Sequence, residues 1–182
     1  MRRALDNLYR ISGGLAAAFI VAIVAVVFVQ VCLNLADKIA AAITGTGLGL
    51  TIPSYADFTG FFLAASIFLA LAYALREGGH IRVTLLLNRL PARAQRGFEI
   101  VVVAVALTMS AYASWFVFQL VYESFEYGDR SSGMVSVPLW LPQLPIAFGL
   151  TILTIALLDE LVGLLRGRPA SWDGKGENLL SE

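Results

Sequence analysis

From Ile11 to Leu35 the chain carries no charged residue, and about 20 apolar residues in succession suffice for a helix to cross the hydrocarbon core of a bilayer. The run is expected to be a first transmembrane helix. The head before it, MRRALDNLYR, holds Arg2, Arg3 and Arg10. A cationic head followed by an apolar run also describes a secretory signal. The apolar part of a signal is shorter, about 7 to 15 residues, and ends at a small-x-small cleavage pattern that does not follow here at once. The run is therefore expected to be retained.

Composition extends the reading to the whole chain. With 58% apolar and 14% charged residues, the 182 residues cannot clothe a water-facing surface. Basic and acidic residues balance at 13 each, so nucleic acid is not an expected partner. The lone Cys32 cannot form an intrachain disulfide and fits a small packing residue.

Further spans follow in order. Spans are expected at about 11–35, 57–75, 98–122 and 141–165, in a single membrane domain covering 1–182. Gly13, Gly14, Ala16, Ala17 and Ala18 put small residues at the start of the first span, where another helix could approach closely. Gln30 and Asn34, four apart, share a face and could bond a neighbouring helix or interfacial water. From Ala36 to Ala56, Asp37, Lys38 and a Gly/Thr-rich stretch with Pro53 read as a loop. Asp57 can cap the second span, which Arg76, Glu77, Gly78 and Gly79 close.

Between the second and third spans lies a basic stretch, REGGHIRVTLLLNRLP, from Arg76 to Pro91. If residues 80–90 are helical, Val83, Leu86, Leu87 and Leu90 share one face while Arg82 and Arg89 share another, as in a helix lying in the membrane interface. The fold class is thus an all-α membrane protein, four transmembrane helices with an interfacial amphipathic helix between the second and third. Pro91 predicts a bend before the third span. Pro138, Pro142, Pro145 and Trp140 predict a kinked, interface-anchored approach to the fourth.

Orientation follows from the basic residues. With four spans both termini share a side, which carries Arg2, Arg3, Arg10, Arg76, Arg82, Arg89, Arg93, Arg96, Arg166, Arg168 and Lys175, against Lys38 and Arg130 opposite. Positive loops face inward, so both termini and the tail 166–182 are expected in the cytoplasm.

Enzyme chemistry finds little support. His80 is the single histidine, too few for a histidine-based zinc site or bis-histidine haem, and no Walker-type glycine loop is present. The chain is read as no enzyme and as carrying no cofactor or metal. An autonomous transporter would place ionisable groups at mid-membrane, whereas Asp159 and Glu160 fall near the cytoplasmic end of the fourth span. Two functional surfaces are expected. Arg76, Glu77, His80, Arg82 and Arg89 with Asp159 and Glu160 would order the cytoplasmic end and engage lipid headgroups. Asp37, Lys38, Glu123, Glu126, Asp129 and Arg130 would form a periplasmic rim.

The run Glu77-Gly-Gly-His-Ile-Arg-Val-Thr-Leu-Leu followed by Pro91 resembles the central signature of the small, DctQ-like membrane subunit of tripartite ATP-independent periplasmic (TRAP) transporters. Ser132-Gly133, Pro138-Leu-Trp140 and the stretch from Pro145 to Gly149 are similar to the family's approach to the fourth span, so the likeness runs almost end to end. Family members often carry an acid where this chain has Thr84. The resemblance implies a small scaffold subunit in the bacterial inner membrane, paired with a large TRAP membrane subunit that moves an organic anion, a carboxylate or sialic-acid-like compound, with sodium. A periplasmic substrate-binding protein would deliver the anion and could dock on the periplasmic rim, and sodium would be bound in the large subunit. The alternative is a membrane-anchor or assembly subunit of another inner-membrane complex such as a redox enzyme.

Overall fold

A computed structural model describes residues 2–78, 91–169 and 171. Among the described residues four helices make up the fold: α1 (Arg2–Thr44), α2 (Tyr55–Arg76), α3 (Ala92–Glu126) and α4 (Trp140–Leu165). Each is long and apolar enough to cross a membrane. The all-α, four-span expectation holds. The expected interfacial helix at 80–90, with His80, Arg82 and Arg89, lies outside the described residues.

The first helix corrects the expected loop at Ala36. It continues through Asp37 and Lys38 to Thr44, 43 residues in all, or about 65 Å at a rise of ~1.5 Å per residue. A charged pair marks where apolar character stops, but it does not end a helix. The residues beyond it, IAAAIT, include three alanines, the best helix formers. The stop comes at Gly45, whose φ of 78° only glycine adopts freely and whose N–H returns to the Ala41 carbonyl at 2.9 Å.

The second helix also starts earlier than its expected cap. Asp57 lies inside the first turn, and Ser54, at φ 57°, is the residue before the helix, without a side-chain capping bond. At the other end, Glu77 and Gly78 close the helix with N–H bonds to Tyr73 and Leu75 carbonyls, and Gly78 turns at φ 73°. Pro91 precedes α3 in extended geometry, its carbonyl taken by the Ala94 and Gln95 N–H groups. Pro142 falls in the first turn of α4, where no N–H is needed, and Pro145 lies within the helix.

The helices pack in the spatial order α1, α2, α4, α3. Small residues set the close approaches. A Cβ at Gly149 would lie 2.5 Å from the Phe68 carbonyl carbon and oxygen and 2.9 Å from the Leu69 nitrogen, so only glycine lets the α4 and α2 backbones meet there. Gly13 of α1 lies against the Tyr73 side chain of α2, and the adjacent Ser12 hydroxyl donates to the Leu69 carbonyl at 2.5 Å. Of the small residues at the start of α1, Ala16 is buried, while Gly14, Ala17 and Ala18 face outward. Between α3 and α4, Ser110 bonds Thr154 and Ser114 bonds Thr151, each at 2.9 Å.

The main core cluster joins all four helices at the end that carries the first residue of α1, with Tyr9, Ala72, Leu75, Val103, Ala156, Leu157 and Leu164 buried together. Elsewhere large apolar side chains face outward, among them Val21, Phe28, Met109 and Trp115. Surface of that kind is the complement of lipid or of another membrane subunit. Cys32, expected as a packing residue, is exposed on α1.

Candidate functional site

Polar groups gather at the two ends of the bundle. At the basic end, Arg76 closes α2 with a side chain only 14% exposed. One nitrogen of its guanidinium pairs with Asp6 of α1 at 2.6 Å. Another lies 3.1 Å from Asp159 and 3.8 Å from Glu160, both on α4. The guanidinium also stands over the Tyr9 ring, 5.2 Å from its centroid, a placement that favours a desolvated cation. One arginine thus fastens three helices. Sequence spacing explains the geometry: Asp6 and Tyr9 lie three apart on one face of α1, and Arg76 comes one residue after the buried Leu75.

Glu160, 5% exposed, has a second duty. Its carboxylate accepts the Ser171 N–H at 2.6 Å, drawing the chain after α4 back onto the bundle. The turn between them is held by Arg166, Gly167 and Arg168 N–H groups bonded to carbonyls of Val162, Leu164 and Gly163. Arg76, Asp159, Glu160, Gly163, Arg168, Pro169 and Ser171 border a crevice of about 20 Å³, room for roughly one water. Nearby, the Arg96 guanidinium of α3 donates to the Leu164 carbonyl at 2.6 Å.

The opposite end is built on Gln30, which is buried. Its amide donates to Asn34 at 2.9 Å and to the Thr51 hydroxyl at 3.0 Å, and its oxygen accepts the Ile52 N–H at 2.8 Å. Asn34 is exposed, whereas Gln30 bonds the connecting segment after α1. Asp37 does the same two turns on, accepting the Gly49 N–H at 2.7 Å. The connection from α3 to α4 folds as a short hairpin, with the Ser131 N–H on the Val137 carbonyl and the Leu139 N–H on the Asp129 carbonyl. Arg130 is turned onto Ser136. This hairpin is tied to the start of α2, since the Val135 N–H donates to the Ser54 hydroxyl at 2.9 Å and Gly133 lies against Ser54 and Asp57.

The expected basic-end set is therefore divided. Arg76, Asp159 and Glu160 come together, Glu77 stays at the exposed end of α2, and His80, Arg82 and Arg89 lie outside the described residues. The Arg76 guanidinium is turned into the bundle towards its acidic partners. Asp6 and Tyr9 join the site although the sequence reading passed over them; their signal was an acid three residues before an aromatic on the approach to a span. In the expected outer rim, Asp37 and Arg130 are engaged by Gly49 and Ser136, whereas Lys38, Glu123, Glu126 and Asp129 are exposed.

No group of three or more His, Cys, Asp or Glu side chains among the described residues could hold a metal ion. Four apolar helices stitched by internal polar contacts define a multi-pass membrane protein. The family model for the DctQ component of tripartite ATP-independent periplasmic transporters matches residues 39–167. The chain belongs to this family, and so is a small permease subunit of a TRAP transporter in the inner membrane. It is 32% identical over 101 residues to the isethionate TRAP transporter permease protein DctMQ of Oleidesulfovibrio alaskensis, a match covering 54% of this chain and 15% of that protein. The chain thus corresponds to a small part of the length of that relative. No solved structure matches it.

Proposed function

We propose that this subunit is a fixed support, not an enzyme, that pairs with a large membrane subunit in sodium-coupled uptake of an organic anion delivered by a periplasmic binding protein. The observation that carries the reading is where the polar groups go. Ser12, Ser110, Ser114, Thr151 and Thr154 are engaged in contacts within or between helices, and Arg76 with its carboxylates locks three helices at one end. A rigid bundle with an apolar exterior suits a scaffold, because it can resist a moving neighbour without rearranging. The relative whose name joins M and Q in one permease protein supports pairing with a large subunit.

In this reading both termini face the cytoplasm, with Lys38 and Arg130 outside. Sodium and substrate are bound by the large subunit, and the substrate is a carboxylate or sialic-acid-like anion. On the periplasmic side Lys38, Glu123, Glu126 and Asp129 are the charges free to steer the binding protein. Purification in mild detergent together with the large subunit tests the reading. A stoichiometric complex that takes up an organic anion into proteoliposomes under an inward sodium gradient, and fails to do so without this chain, is expected. Undiminished uptake by the large subunit alone, or copurification with a cofactor enzyme, would overturn it.

A further inference from the structure

We propose that the seam between α3 and α4 at the basic end binds the headgroup of an anionic phospholipid through Arg96, Arg166 and Arg168. This rests on the chain lying in a bilayer and not on its role in uptake.

Three features meet at the seam. Arg96 is fixed there by its bond to the Leu164 carbonyl, and it sits against Gly167, where a Cβ would lie 3.4 Å from its Nη2. Gly167 turns the chain at φ 82°, placing the exposed Arg166 and Arg168 on either side of it in sequence. Neither of those two carries an ion pair with a described residue, although Arg168 also borders the crevice of Asp159 and Glu160, whose carboxylates pair with Arg76. A guanidinium presents a planar fork of donors that matches phosphate oxygens, and it is more weakly hydrated than an ammonium. The N-terminus of α3 begins at the same rim and adds the positive end of its backbone dipole.

The apolar surface below the arginines points to a lipid. Phe98, Val101 and Val105 on α3 are 51%, 60% and 54% exposed, and Leu158 and Leu165 on α4 are 50% and 61% exposed. Acyl chains would run along these residues while the phosphate stays with the arginines. Arg76 offers no such site, since its donors are turned inward.

The test is native mass spectrometry of the full chain released from nanodiscs of equal phosphatidylglycerol and phosphatidylcholine. Phosphatidylglycerol should be retained about fivefold over phosphatidylcholine. The paired change Arg166→Gln and Arg168→Gln, both on exposed side chains, should bring retention close to parity, and Arg96→Gln should lower it. The paired change Arg3→Gln and Arg10→Gln on α1 should leave it unchanged. Equal retention of the two lipids by the unaltered chain, or an equal loss in the α1 pair, would overturn the proposal.

Discussion

Gly149 of α4 stands against the Phe68 peptide of α2 so closely that a single methyl would meet the Phe68 carbonyl at 2.5 Å. The obstacle is backbone, which cannot swing aside as a side chain can. Gly149→Ala should therefore force the two helices apart and destabilise the bundle by about 1–3 kcal/mol. Thermal unfolding in detergent measures this. A melting temperature equal to that of the parent chain would contradict the close approach, whereas Gly163→Ala, with open space around it, should be near neutral.

Removing Arg76 should cost more than removing any one of its partners. Arg76→Met leaves Glu160 buried without its cation, a loss on the order of 3–5 kcal/mol. Asp6→Asn should cost about 0–1 kcal/mol, because Asp6 is 44% exposed and its pairing is shared with solvent. Guanidine or thermal denaturation in micelles ranks the variants; an equal effect of the two would show that Arg76 does not act as the hub.

Gln30→Leu keeps the volume of the side chain and removes three hydrogen bonds to Asn34, Thr51 and Ile52. The half-buried Ile52 N–H then loses its acceptor, at about 1–3 kcal/mol. Hydrogen exchange resolved at Ile52 should accelerate by one to two orders of magnitude, roughly what that energy implies, while exchange within α4 stays as it was. Unchanged exchange at Ile52 would remove Gln30 as the clamp.

Gly133→Ala should be harmful because its methyl would strike the Asp57 carboxylate and crowd the Ser54 hydroxyl. The obstruction by Asp57 is a side chain, so the double variant with Asp57→Gly should recover most of the lost melting temperature. Non-additivity of that kind identifies direct contact. Simple addition of the two effects would mean that the hairpin is not packed on α2.

Much of the architecture was legible in the sequence because uncharged length is a direct statement about the bilayer. The apolar runs placed all four helices, and the arginines and acids near Arg76 and Asp159 were recognisable as partners across 83 residues. What was hidden depends on three-dimensional register. Helicity beyond Asp37 was missed because charge reports solvent, not backbone conformation. Asp6 was missed because a head rich in arginine drew the reading towards its cations. Gly149 and Ser12 are ordinary small residues in apolar runs, and only the crossing of α2 with its neighbours gives them consequence. The connection at 45–54 takes its shape from Gln30 and Asp37, which lie inside the preceding helix.

Arg76 takes its partners from α1, which is synthesised before it, and from α4, which is synthesised well after it. When α2 leaves the ribosome Asp6 and Tyr9 are already there to receive the guanidinium, and Asp159 and Glu160 come only with α4, after α3. Until then the cation has reason to remain hydrated at the bilayer surface. The ion network is thus a late step of biogenesis, and a chain truncated before Asp159 would reach the membrane with this end of the bundle still open.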